Sequence, residues 1–302
     1  MRPRVLAALP AAACLLAAAL SSCAAPGAAT SPRGTITVVA GEDNWGSLAR
    51  MLGAGVVTVH SIITSPSADP HSYTASAADA ATVDSASIVI ENGAGYDNFL
   101  AQLVAASGRS PRVLDVARIV GASGPDPNPH FWYSPAFVER VAAAITGELS
   151  ALAPSHRARF AAALRALRRA QAPEYRVLAA LRRRFAGVPV AYTERVPGYL
   201  LDAAGLVVRT PRGFARAVEQ GTQPSFSDQL ALRRLLAARG VDVLLDNVQT
   251  VSPVTDEAVA EARAAGIPVV AVQETLPPGA AGLVAWQLSV ARALLAALSA
   301  GR

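Results

Sequence analysis

Ser155–Phe185 reads SHRARFAAALRALRRAQAPEYRVLAALRRRF, and this stretch decides the architecture. Ala, Leu and Arg favour helix. Apolar residues recur at helical spacing and no turn dipeptide interrupts them. At about 1.5 Å per residue, a helix of this length reaches across a whole domain. Pro173 is the discordant residue: it lacks an N–H and predicts a kink or an interruption.

Short β-branched runs alternate with Ala-rich helical runs on both sides of this stretch, the pattern of parallel βα units. Upstream, strands are expected at Thr35–Ala40, Val56–Thr64, Ser87–Glu91 and Arg112–Val116. Helices are expected between them at Trp45–Leu52, Ser76–Ser85 and Tyr96–Ala106. Ser76 with Asp79 forms a capping pair. Ser134-Pro135 places an N-cap before a proline at the first helical position. Downstream, strands are expected at Val188–Tyr192, Leu206–Arg209, Val243–Asp246 and Val269–Val272. Helices are expected at Val196–Ala204, Ser225–Arg239, Pro253–Ala265 and Leu283–Ser299. The fold class is therefore α/β: two βα lobes with parallel sheets, joined by one long backbone helix, with ligands bound in the cleft between them. The expected divisions are 1–22, 23–34, 35–153 (first lobe), 154–186 (connecting helix) and 187–302 (second lobe).

The first 34 residues read as export machinery. Arg2 and Arg4 precede an apolar run, Val5–Leu20, that is too short and too broken by Pro10 for a membrane span. It ends in Leu20-Ser21-Ser22-Cys23, which resembles the lipobox of bacterial lipoproteins. Residues 1–22 are thus expected to be a lipoprotein signal peptide and Cys23 the lipidated residue, with the small, Pro/Gly-containing stretch after it a tether. Loss of Cys14 with the signal and acylation of Cys23 would leave the body without a thiol, hence without disulfides or Cys-ligated metal.

Composition excludes further classes. All 27 basic residues are Arg, so the Lys that a P-loop places on its phosphates is missing. The net charge of +5 is scattered rather than gathered in a stripe, which argues against nucleic-acid binding. There is no HExxH pair and no Gly-x-Ser-x-Gly elbow, so no enzyme is expected.

The four histidines divide into two pairs. His60 lies in an expected strand and His156 at the start of the long helix; both read as structural or surface residues. His71 and His130 each end a proline-bounded loop, Asp69-Pro70-His71 and Asn128-Pro129-His130. Proline stiffens the approach to each imidazole, and both loops follow strands, where open α/β sheets bind ligands. The second lobe has no His, so partners there must be carboxylates. Glu194 and Glu274 each stand two residues past a strand, and Asp246 closes one. For Asp246 a helix N-terminus is the expected partner. Imidazoles facing carboxylates across a cleft would give mixed N and O donors. That set suits Mn²⁺, Fe²⁺ or Zn²⁺, and its lack of sulfur argues against Cu⁺.

These segments resemble the metal-binding lipoproteins that serve ABC transporters for zinc and manganese. Asp69-Pro70-His71-Ser72-Tyr73 is similar to that family's DPH-[ST]-[YF] loop, and Asn128–Pro135 (NPHFWYSP) to its DPH-x-W-x-[ST]-P segment. Ile90-Glu91-Asn92-Gly93 and Gln223-Pro224-Ser225 are similar to two further family segments, in the same order. The resemblance implies the two-lobed fold and metal ligands at His71, His130, Glu194 (aligned through Pro197-Gly198-Tyr199) and Glu274 (in Glu274-Thr275-Leu276). It also implies a monomer on the outer face of the cell membrane that delivers the metal to an ABC permease. Glu194 in place of His is similar to the manganese and iron branch. Glu274 in place of Asp, Gln223 in place of Glu, Pro173 and the lack of a His-rich loop depart from the family pattern and leave the metal open. A metal-dependent hydrolase and an adhesin or scaffold with a vestigial site are the competing functions.

Overall fold

The structure, a computed structural model, describes residues 36–65, 68 and 73–300. Cys23, the expected signal and tether, and His71 lie outside the described residues.

The first sheet holds β1 (Ile36–Glu42), β2 (Val57–Ile63), β3 (Ile88–Glu91) and β4 (Arg112–Asp115) in the order β2-β1-β3-β4. The second holds β5 (Pro189–Tyr192), β6 (Val207–Val208), β7 (Leu244–Asn247) and β8 (Val269–Val272) in the order β6-β5-β7-β8. Every pairing is parallel. The difference between central and edge strands is visible in the residues. Val38, Val39 and Ala40 of β1 and Ile88, Val89 and Ile90 of β3 are fully buried, as in strands covered on both faces. In β2, Thr58 and His60 alternate outward on the sheet edge.

Both lobes are wound alike. The chain leaves the inner strand (β1 or β5) for the edge strand on one side, then returns to the strand on the other side (β3 or β7). The carboxyl ends of β1/β3 and β5/β7 are therefore topological switch points, where α/β sheets open a crevice.

Around the first sheet lie α1 (Asp43–Gly53), α2 (Ala77–Asp84), α3 (Asn98–Ala106), α4 (Val116–Val120) and α5 (Pro135–Leu152). Ser76 caps α2 in a reciprocal box with Asp79, and Ser134 caps α5 ahead of Pro135, as the sequence predicts. Around the second lie α7 (Gly198–Ala204), α8 (Arg212–Glu219), α9 (Phe226–Ala237), α10 (Pro253–Ala264) and α11 (Leu283–Ala300). Helices α4 and α8 were not expected; α4 has five residues, too few for periodicity to show. Tyr96, expected to open a helix, lies instead in the turn before α3.

Helix α6 (Arg157–Phe185) is the long connection, 29 residues in one piece. It runs through Pro173 without the interruption that proline predicts. The missing N–H costs one hydrogen bond, but packing on both sides holds the helix. Phe160, Leu167, Leu178, Leu181 and Phe185 make a buried stripe, and α5, α7 and α11 pack against it. One continuous apolar core takes residues from both sheets, from Val38 and Ile90 to Val190 and Leu245. Helix α11 is long and apolar enough to cross a membrane by composition, yet its Leu283, Val290 and Leu294 sit in this core.

Candidate metal centre

Three side chains that the sequence placed far apart meet beyond the strand ends. His130 enters from the segment between α4 and α5. Glu194 follows β5, and Glu274 follows β8. His130 Nε2 lies 3.9 Å from Glu194 Oε1 and 3.7 Å from Glu274 Oε2. One ligand atom from each of the three lies within 4.8 Å of the others. The residues are 0%, 1% and 3% exposed, so water does not screen them.

His130 is aimed by its own loop. The Asn128 amide nitrogen donates to the Arg195 carbonyl at 2.8 Å, which turns its Oδ1 toward the imidazole. That oxygen accepts the His130 backbone N–H at 3.1 Å and lies 2.6 Å from His130 Nδ1. Nδ1 is thus engaged by Asn128, and Nε2 is the nitrogen that faces the carboxylates. Tyr96 and Trp132 stand edge-on to the ring at centroid distances of 5.9 and 5.4 Å. The close approach of Asn128 depends on Gly198, where a Cβ would meet the Asn128 amide at 2.8 Å.

The carboxylates are fixed by hydrogen bonds. Asn247 Nδ2 donates to Glu194 Oε2 at 2.6 Å and to Glu274 Oε1 at 2.9 Å. Thr250 Oγ1 donates to Glu194 Oε2 at 2.6 Å, and the Tyr96 hydroxyl to Glu274 Oε2 at 2.9 Å. The backbone is tied as well: Asn44 Nδ2 donates to the Glu274 carbonyl at 2.6 Å, and the Thr275 N–H donates to Gln249 Oε1 at 3.0 Å.

Two carboxylates and one imidazole buried together are electrostatically incomplete. Burial, then the charge of Glu274, pushes Glu194 up to about 8. Burial pulls the His130 imidazole down, but Glu274 first, with Glu219 and Glu194, outweighs it and holds the imidazole above its ordinary value. Burial and Glu274 also hold the Tyr96 phenol well above its ordinary value, so it stays a neutral donor. Such a pocket needs protons or a cation, and a divalent ion would replace the protons.

Salt bridges span the lobes beside the pocket. The Arg195 guanidinium donates to Glu219 at 2.6 and 2.5 Å and to Asp126, from the first lobe, at 3.3 Å. Arg216 also reaches Asp126 at 2.6 Å.

The other candidates fall elsewhere. His60 and His156 are exposed, His60 on edge strand β2 and His156 in the turn before α6. Asp246 points away from the pocket, and its Oδ1 accepts the Thr193 hydroxyl at 3.2 Å. The alternation of side chains along β7 instead turns the next residue, Asn247, into the site. Sequence reading missed Asn247, Thr250, Tyr96 and Asn44. All four stand at the ends of β1, β3 or β7, at the switch points, and would have been found had the strand order been known. Glu42, also at the end of β1, is fully buried, and neither carboxyl oxygen has a hydrogen-bond partner among the described residues. Burial, then Asp97 and Asp43, holds it well above the usual carboxylate range.

Residues 38–297 match the family model described as zinc-uptake complex component A, periplasmic (ZnuA). The chain belongs to the ZnuA family. Solved structures with the same fold include the Mn-bound periplasmic metal binding protein of Candidatus Liberibacter asiaticus, at TM-score 0.72 and 15% identity over 87% of this chain and 99% of that one. The periplasmic zinc binding protein TroA of Treponema pallidum aligns at TM-score 0.71 and 19% identity, over 88% and 99%. FpvC of P. aeruginosa, in complex with Ni²⁺, aligns at TM-score 0.71 and 21% identity, over 88% and 98%. No curated protein matches the chain. The ZnuA family consists of extracytoplasmic metal-binding solute-binding proteins, and the two parallel four-stranded sheets are its fold.

Proposed function

We propose that this chain captures a divalent transition metal ion, zinc or manganese with Fe²⁺ as a third choice, and delivers it to an ABC transporter permease. The ion is the cargo, not a cofactor, and the protein is not an enzyme. The observation that carries this reading is the buried trio His130, Glu194 and Glu274, whose donor atoms come within 4.8 Å of one another across the two lobes. His71, on its proline-bounded loop after β2, is assigned as the fourth ligand by its family motif. The division into first lobe 35–153, connecting helix 154–186 and second lobe 187–302 belongs to the same reading. So does a monomer exported by the signal 1–22 and anchored to the membrane through lipidated Cys23.

Burial of the trio supports capture over hydrolysis. A catalytic metal keeps a position open for water and substrate, whereas these ligands are shielded from solvent. The shared core and the ion pairs that bridge the lobes support a modest closure rather than a wide hinge.

Thermal unfolding of metal-stripped protein starting at Ala24, with Zn²⁺, Mn²⁺, Fe²⁺, Mg²⁺ and Ca²⁺ at matched concentrations, tests the proposal. An ion that binds only the folded state raises its stability by mass action. A large rise with zinc or manganese, lost in His130→Ala and His71→Ala, is expected. A rise with no metal would point to a vestigial site, and equal effects from all four histidines would overturn the ligand set.

A further inference from the structure

The second lobe does more than supply two carboxylates; it sets how each can bind. A carboxylate has two oxygens with about two lone-pair sites each, and it can bind a metal through one oxygen or both. In Glu194, Oε2 accepts from Asn247 Nδ2 and from Thr250 Oγ1, both at 2.6 Å, which engages both of its lone pairs. Only Oε1 faces His130. In Glu274, Oε1 accepts from the same Asn247 amide at 2.9 Å, and Oε2, which accepts one hydrogen bond from the Tyr96 hydroxyl, faces His130. One amide nitrogen, which also lies 2.7 Å from Thr250 Oγ1, thus shares its two hydrogens among the outer oxygens of both carboxylates and that hydroxyl. Asn247 is 1% exposed, so water cannot readily take its place or add donors to the site.

We propose that Asn247 determines cargo specificity: by helping to close the outer oxygen of Glu194 and engaging that of Glu274, it keeps the donor count low and favours a four-coordinate ion of the zinc type over Mn²⁺. This rests on the reading above that both glutamates are cargo ligands. Zinc is satisfied by four N and O donors in a tetrahedron. Manganese belongs with ions that fill octahedral, oxygen-rich sites. Asn247 is a positioning residue, since it acts through the carboxylates, and Thr250 assists it at Glu194 alone. The inference runs against the likeness of Glu194 to the manganese branch, because ligand identity favours manganese and ligand restraint does not.

The test compares wild type, Asn247→Ala and Thr250→Val, each metal-stripped and confirmed folded by its metal-free unfolding transition. Two quantities are read. One is the ratio of Zn²⁺ to Mn²⁺ affinity from competition titrations; the other is the visible spectrum of the Co²⁺-loaded protein, which is intense for four-coordinate and weak for six-coordinate cobalt. In wild type, zinc preference and an intense cobalt spectrum are expected. In Asn247→Ala the ratio should fall about tenfold, the scale of outer-shell effects on metal sites, and the cobalt bands should weaken. Thr250→Val should show a smaller change of the same sign, and it serves alone if Asn247→Ala does not fold. A general loss of stability would weaken both metals alike and leave the ratio unmoved. An unchanged ratio and spectrum in the variants, or six-coordinate cobalt in wild type, would overturn the assignment while leaving metal capture intact. Failure of wild type to bind any of the three ions would overturn both.

Discussion

The two lobes share one strand order but hold their parts of the site by different means. In the first, His130 is tied to one oxygen, Asn128 Oδ1, and otherwise held by packing: Trp45, Tyr96 and Trp132 form an aromatic cluster behind it, with Trp45 and Trp132 edge-on at 6.4 Å. In the second, Glu194 and Glu274 are held by hydrogen bonds from Asn247 and Thr250. The contrast follows from charge. An imidazole has only two polar atoms and tolerates apolar walls around its ring, whereas a buried carboxylate is stable only with donors on its oxygens. The same winding can therefore carry either kind of donor, provided the residues at the switch points change with it.

Two changes test this contrast, a third probes the helix between the lobes, and the two exposed histidines serve as controls. The largest effect is expected from Trp132→Ala, which removes a fully buried indole behind His130. It should cost about 3–5 kcal/mol in the metal-free protein, read by urea unfolding. A loss below about 1 kcal/mol would mean that packing does not hold the first lobe. Next, Glu194→Ala should abolish the stabilisation by metal, about 2.7 kcal/mol at a hundredfold excess over Kd. That is read as the difference in unfolding free energy with and without zinc.

A third effect concerns α6, which both lobes share. Burial pushes the Glu174 carboxyl up to about 8, and neither oxygen has a hydrogen-bond partner among the described residues. An acid whose folded pKa lies above its unfolded one binds more protons when folded, so stability falls as pH rises between the two values. The decline should run from about pH 4.5 to about pH 8. Glu174→Gln should flatten it, so that the variant gains on the wild type steadily across that range. A parallel pH profile in the variant would contradict this. The smallest effects are expected from His60→Ala and His156→Ala, within about 0.5 kcal/mol and with metal affinity unchanged.

Much of this was legible in the residues. The long helix, eight strands and most caps could be read because β-branched runs, Ser-Pro starts and helical spacing are local signals. Glu194 and Glu274 were legible as residues after strands, and His130 by its proline-bounded loop, although α4 separates that loop from β4. What was not legible depends on strand order, which no local pattern encodes. Asp246 and Asn247 were indistinguishable until the register of β7 showed which of them faces the pocket. Tyr96 looked like the start of a helix because an aromatic followed by polar residues fits a first turn as well as a loop. The continuity of α6 through Pro173 was equally hidden, since it depends on the elements packed around the helix.

The most direct test of the central claim is a crystal structure of the zinc-loaded protein with anomalous data at the zinc edge. One strong peak is expected in contact with His130 Nε2, Glu194 Oε1 and Glu274 Oε2, with His71 completing the set. A peak elsewhere, or none at this trio, would contradict it.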